Sequence, residues 1–347
     1  MQHHTTEKKE AEKAFSVLKE TYGRTVHPEL HSVRTIEEAI QLLNKYGKEA
    51  YVFAGGLDVL GQMKNEIISP KALINIKSID KLKLMLADAA GLSIGALAKI
   101  ADIENSELIK QKYPMLAETA AAIGSPHIRN MATLGGNLCQ QTRCWYYRRS
   151  PDTGISFECR RKSESGSCYA IDGENQYHAV ADYGHCISVC PSDMAVTLSA
   201  MGAKVNIDGA SGARSLPVSQ LYSELGHALK PEEIITAVNI PAPAKGSKQT
   251  FIKFRIRKTI DFAIVSAAVS VQSDKGIIQD AKVYLGGISH KPYRASHAEN
   301  ALMGEKLSSA LAQHAGEVTV SEMRPFSKNA YKLTIAQALV KRALLEP

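Results

Sequence analysis

Two rhythms of apolar and polar residues run along this chain, and they divide it. In Thr35-Ile36-Glu37-Glu38-Ala39-Ile40-Gln41-Leu42-Leu43 the apolar side chains recur at helical spacing behind a capping Thr, with Glu38 three residues on. An apolar run over 50–54 then predicts a short buried strand ending on Gly55-Gly56. Further strands are expected over 71–76 and 91–96, the second turning into a helix from Leu97. Helix and strand alternate with glycine at the junctions, which predicts a mixed α/β unit. A helix over 115–122 must end at Gly124-Ser125-Pro126.

From about 139 to 190 the periodicity disappears into Arg, Ser, Gly and Tyr, as in a loop organised by a ligand instead of a core. A helix over 193–200 and a strand over 204–207 restore the pattern. Pro and Gly gather over 240–246 and mark a domain boundary. Beyond them, strands over 250–257, 263–272 and 281–286 precede a helix over 329–345 with Leu333, Ala336, Leu339 and Ala343 on one face. The expected fold class is α+β. A charged arm over 1–26, with Ala11, Phe15 and Leu18 at helical spacing, precedes a domain over 27–242, and a smaller α+β domain occupies 247–347.

Composition narrows the function. The net charge of +7 on 347 residues comes from scattered Lys and Arg, and only 143–149 interleaves basic with aromatic residues, so nucleic acid is not the expected partner. No signal-peptide core or membrane-length apolar run is present, which predicts a cytoplasmic, reduced protein. Six cysteines in such a compartment are not expected to be disulfides. All of them fall between Cys139 and Cys190, in a polar stretch, and that clustering points to metal. Eleven histidines are dispersed; His127, His178 and His185 lie near the motifs as polar contacts. No nucleophile–His–acid arrangement is readable.

Two glycine pairs carry further chemistry. Ala54-Gly55-Gly56-Leu57-Asp58 follows a strand, and Thr133-Leu134-Gly135-Gly136-Asn137 has the same features plus two polar side chains. Paired glycines let backbone N–H groups converge on a phosphate, although each pair also reads as a plain tight turn. Neither matches the dinucleotide fingerprint or the P-loop. Together with 125–137, Ser-Pro-His-Ile-Arg-Asn-Met-Ala-Thr-Leu-Gly-Gly-Asn, they resemble the FAD-binding subunit of the molybdenum hydroxylase and xanthine dehydrogenase family, from about residue 27 to the end.

That resemblance implies a PCMH-type FAD-binding domain. Ala54, Gly55, Gly56, Leu57, Asp58 and Val59 would form one cofactor loop, and Ala132, Thr133, Leu134, Gly135, Gly136 and Asn137 a second. Leu57 stands where the family usually has Thr. Asp193 matches a cofactor-contacting Asp and also reads as a helix cap. Trp145 and Lys253 join the implied cofactor set. Lys253 and Arg255 fall where the family places basic residues near the flavin, or on a solvated strand face.

The cysteine loop narrows the resemblance to the 4-hydroxybenzoyl-CoA reductase type, which with some bacterial aldehyde oxidoreductases carries a [4Fe–4S] cluster in such an insertion. The implied ligands are Cys144, Cys159, Cys168 and Cys186, with Cys190 competing for the fourth place. Arg143, Arg148, Arg149, Arg160, Arg161 and Lys162 would balance the cluster's negative charge. Zinc is the rival metal, but its usual close Cys pairs would recruit Cys139 or Cys190.

The expected protein is an oxidoreductase subunit that moves electrons through FAD and a cluster, with substrate chemistry elsewhere. The resemblance implies a molybdenum-cofactor large subunit and a [2Fe–2S] small subunit, assembled as a dimer of heterotrimers. Ferredoxin or NAD(P) would be the electron partner. Reductive dehydroxylation of an aromatic acyl-CoA is one expected reaction of the complex, and oxidation of an aldehyde, xanthine or an N-heterocycle the alternative. A zinc-stabilised, nucleotide-binding interaction module is the reading from a different class.

Overall fold

The computed structural model describes residues 28–149, 157–163 and 165–346. The arm over 1–26, with Ala11, Phe15 and Leu18, lies outside them. Three small units follow one another along the chain.

The first comprises β1 (Glu29–Ser32), α1 (Ile36–Tyr46), β2 (Ala50–Phe53), α2 (Val59–Lys64) and β3 (Ala72–Asn75), its strands forming a parallel sheet in the order β1-β3-β2. Thr35 caps α1 by accepting the Glu38 N–H at 3.1 Å, and the Glu38 carboxylate accepts the Arg34 N–H at 2.9 Å. Ile36, Ala39 and Leu43 turn inward onto Ala72, Ile74 and Ile76.

The second unit begins with β4 (Met85–Ala87) and β5 (Gly91–Gly95) and continues through α3 (Ile100–Asn105), α4 (Glu107–Lys112), α5 (Pro114–Ala121), α6 (Pro126–Met131), α7 (Leu134–Cys139) and one turn, α8 (Trp145–Arg148). After the cysteine segment come α9 (Asp193–Ala200), β6 (Lys204–Gly209), β7 (Gly212–Pro217), β8 (Tyr222–Ser223), β9 (Gly226–His227) and β10 (Ile234–Pro241). An antiparallel sheet, β4-β5-β10-β6-β7, backs the helices. α9 is buried throughout, packed between this core and the last unit.

The last unit is the antiparallel sheet of β11 (Ser247–Phe254), β12 (Val265–Asp274), β13 (Ile277–Gly286) and β14 (Tyr293–Arg294), with α10 (Ser296–Leu302), α11 (Ser309–Thr319) and α12 (Tyr331–Leu345).

Three differences from the sequence reading have physical causes. Ser125-Pro126 not only follows α5 but starts α6, because Ser125 accepts the Ile128 N–H and Pro126 needs no donor in the first turn. Thr133-Leu134-Gly135-Gly136-Asn137 is a helix start rather than a tight turn, with Thr133 Oγ1 accepting the Gly136 N–H at 3.2 Å. Ile240-Pro241, taken as the start of the linker, ends β10, a central strand whose alternation was masked by the Pro-rich composition after it.

Candidate functional site

A cleft of about 820 Å³ opens where the two glycine motifs meet, inside the roughly 300–1,000 Å³ range of cofactor sites. Residues 54–59 line one wall and Ala132, Thr133, Gly135, Gly136 and Asn137 another. Residue spacing alone showed no reason for the two motifs to touch, although the resemblance implied one cofactor between them. Gly55 explains it: a Cβ there would sit 2.3 Å from the Met131 carbonyl oxygen. Gly56 has φ +79°, the left-handed region that glycine enters without cost. Gly135 has a third reason, since its Cβ would lie 3.0 Å from that of Ala96. Gly55→Ala therefore must push backbone from backbone. The expected result is a loss of about 1–3 kcal/mol in denaturant unfolding together with less flavin retained on purification; an unchanged variant would remove this account of the turn.

Asp58 precedes α2, but its carboxylate does not cap the helix. It is drawn toward the cysteine segment, accepting from Arg143 at 2.5 Å, Arg148 at 2.7 Å and the Gln141 N–H at 2.9 Å. Arg143 and Arg148, expected to balance a cluster, are thus committed to Asp58. The start of α2 has no side-chain cap, and its Leu60 N–H is taken by the Gly56 carbonyl at 3.0 Å. Residues 56–59 line the cleft, where the remaining backbone donors of the turn would suit an anion such as a diphosphate.

Across the cleft, Ser192 Oγ donates to Asn137 Oδ1 at 2.7 Å and accepts the Ala195 N–H at 3.0 Å. Ser192, not Asp193, is therefore the cap of α9, and Asp193 is its first residue. The Asp193 carboxylate pairs with Lys253 at 2.7 Å, with both side chains under a tenth exposed. Lys253 and Arg255 also donate to the Ala122 carbonyl beyond the end of α5. The solvated-face reading is wrong for Lys253, which is buried and lines the cleft with Asp193. Leu134 is fully buried in the core, and Trp145 stands outside the cleft, half exposed and edge-on to Tyr177 at 5.5 Å.

Cys144, Cys159, Cys168 and Cys186 line one shared space of about 20 Å³, together with His178 and Arg161. That volume is water-sized, so the side chains must spread to admit a cluster. Among the described residues no three His, Cys, Asp or Glu are gathered closely enough to hold a single metal ion. The donor types and their convergence nevertheless fit a thiolate-ligated cluster. Arg161 Nε donates to Cys186 Sγ at 3.3 Å, and His178 Nε2 lies 3.2 Å from Cys144 Sγ. Burial, chiefly, pushes the Cys144 thiol up to about 12, with Cys159 and Cys186 adding to the rise. A metal must therefore displace the proton to make the ligand. Cys190 is absent from this space and sits in the central core, its N–H on the Ser289 carbonyl at 2.9 Å. Cys139 packs against that core and lines the large cleft.

A second cavity of about 610 Å³ joins these places. It shares Arg143, Asp193 and Phe262 with the cleft, and Cys144 and His178 with the cysteine space. Trp145 and Tyr177 line it. Among the described residues no helix is long and apolar enough to cross a membrane.

Comparison with known proteins fits this geometry. A family described as "FAD binding domain in molybdopterin dehydrogenase" matches residues 24–243, and "CO dehydrogenase flavoprotein C-terminal domain" matches 249–347. The chain is 34% identical to the aldehyde oxidoreductase FAD-binding subunit PaoB of Escherichia coli (strain K12), over 86% of this chain and 91% of that one. It is 24% identical to the glyceraldehyde dehydrogenase medium chain of Sulfolobus acidocaldarius, over 92% and 98%. In fold it is similar to the carbon monoxide dehydrogenase of Hydrogenophaga pseudoflava, with a TM-score of 0.74 at 23% identity, covering 92% of this chain and 96% of that one.

Proposed function

Because this chain belongs to the FAD-binding subunits of the molybdenum hydroxylase and xanthine dehydrogenase family, we propose that it holds FAD between its glycine motifs and a [4Fe–4S] cluster on Cys144, Cys159, Cys168 and Cys186. Bound FAD supplies two-electron chemistry and a cluster one-electron transfer. The observation that carries the cluster reading is the meeting of these four cysteines in one space, beside a cavity that reaches the cleft.

Residues 54–59 and 132–137, apart from the core residue Leu134, are the chain's contribution to binding. The turn at 55–59 would hold the diphosphate, and the Asp193–Lys253 pair stiffens the wall opposite. Arg161 steadies the Cys186 sulfur. Trp145 and Tyr177 border the space between the two proposed cofactor sites. Substrate chemistry belongs to a partner. A molybdenum-cofactor large subunit and a [2Fe–2S] small subunit, as a dimer of heterotrimers, are the inferred assembly, with ferredoxin or NAD(P) as electron partner. The 34% identity to an aldehyde oxidoreductase subunit favours an aldehyde as the complex's substrate over the aromatic acyl-CoA first expected.

Anaerobic purification followed by absorption, iron, sulfide and flavin assays tests this reading. About four irons and one FAD per chain are expected. Zinc, with neither flavin nor sulfide, would replace it with the zinc-stabilised interaction module.

A further inference from the structure

Lys332, the second residue of α12, is only 1% exposed, deep behind the cysteine segment. Its ammonium donates to two backbone carbonyls, His178 at 2.9 Å and Gly287 at 2.7 Å. No carboxylate among the described residues offsets its charge, and burial draws it down to about 7. An isolated buried cation costs several kcal/mol, so a buried lysine gives up its proton unless negative charge nearby offsets that cost. His178 links Lys332 to the cysteine segment: its carbonyl accepts from the ammonium, while its ring Nε2 lies 3.2 Å from Cys144 Sγ.

The surroundings sharpen the point. Arg143 and Arg148 are engaged by Asp58, Arg161 donates to the Cys186 thiol, and the Lys162 charge acts on Cys159. Asn329, three residues before Lys332, donates to the His178 and Ala179 carbonyls, so the start of α12 is docked on the cysteine segment. Lys332 thus brings an ammonium group from the C-terminal unit to His178, whose ring touches the proposed ligand Cys144.

We infer that Lys332 is the counter-charge of the iron–sulfur site and holds its reduction potential up. The inference rests on the cluster reading above. Four thiolates and a cubane carry net negative charge, and reduction adds one electron from the donor to that buried charge. A nearby cation therefore stabilises the reduced form more than the oxidised one. Lys332 acts through the field at the cluster and is not a ligand.

The test is an EPR-monitored dithionite titration of the full chain, comparing wild type with Lys332→Met and Lys332→Gln. Both variants are expected to move the cluster midpoint to more negative potential with iron and sulfide content intact. Gln keeps an N–H donor for the two carbonyls, so it supplies the comparison even if Met weakens docking of the loop. An unshifted midpoint in an iron-replete variant makes Lys332 a structural pin and overturns the inference. A shift in Met absent from Gln also overturns it, because hydrogen bonding rather than charge would then be responsible. Iron-free wild-type protein is a different failure: it removes the cluster reading, and this inference falls with it.

Discussion

On the proposed cluster reading, Cys186→Ala is expected to strip away most of the roughly four irons and the accompanying sulfide, while Cys190→Ala keeps them. The two residues compete in sequence, four positions apart in the same polar segment. In three dimensions they part. Cys186 faces Cys144, Cys159 and Cys168 and receives the Arg161 N–H. Cys190 lies in the apolar core near Met194 and Leu198, where its thiol is pushed up to about 12, mainly by burial. A cluster left with three protein ligands assembles poorly and breaks down, so the expected effect is near-complete loss of its charge-transfer absorption, with the flavin bands remaining. Iron and sulfide analysis of both variants, with the 280 nm to visible ratio, decides the matter. Iron lost from Cys190→Ala and retained in Cys186→Ala would invert the assignment.

Lys253→Met should be the most destabilising single change on the cleft wall, by about 3–5 kcal/mol in denaturant unfolding. It leaves the Asp193 carboxylate 8% exposed and without its partner, at the first residue of a helix buried on all sides. The same ammonium also donates to the Ala122 carbonyl, but Arg255 keeps that acceptor satisfied, so the cost falls on the Asp193 carboxylate. Lys253→Met combined with Asp193→Asn should recover part of the loss, because a neutral amide costs less to bury than an unpaired charge. Equal stability of Lys253→Met and wild type would mean that water reaches Asp193 and that the pair is not the buried clamp described. Flavin content should fall with stability in the single variant and recover in part in the double.

The resemblance seen in the glycine motifs agrees with the family match, and the two-domain order was legible because helix and strand periods are local. Strand and helix boundaries slipped where one residue serves two elements. Ser125 illustrates this, standing after α5 while capping α6. Ser192 illustrates it again: next to an Asp that looks like a cap, its hydroxyl takes the role while also donating to Asn137. Basic residues around the cysteines were countable from the sequence, but their assignments were not. Arg143 and Arg148 turn to Asp58, some ninety positions earlier, and Lys332 arrives from the last helix.

By itself, the sequence determined that a cluster of cysteines interrupts a mixed helix-and-strand chain between two glycine motifs, since residue type and spacing are properties of the chain alone. Tertiary structure decided which partners each group has. It brought Gly55 against Met131, paired Asp193 with Lys253, separated Cys186 from Cys190 and set Lys332 behind His178. Each of these depends on burial, which turns an ordinary surface charge into one that must be matched and a small side chain into one that cannot be enlarged. Burial is a property of the packed whole, and no local window of residues contains it.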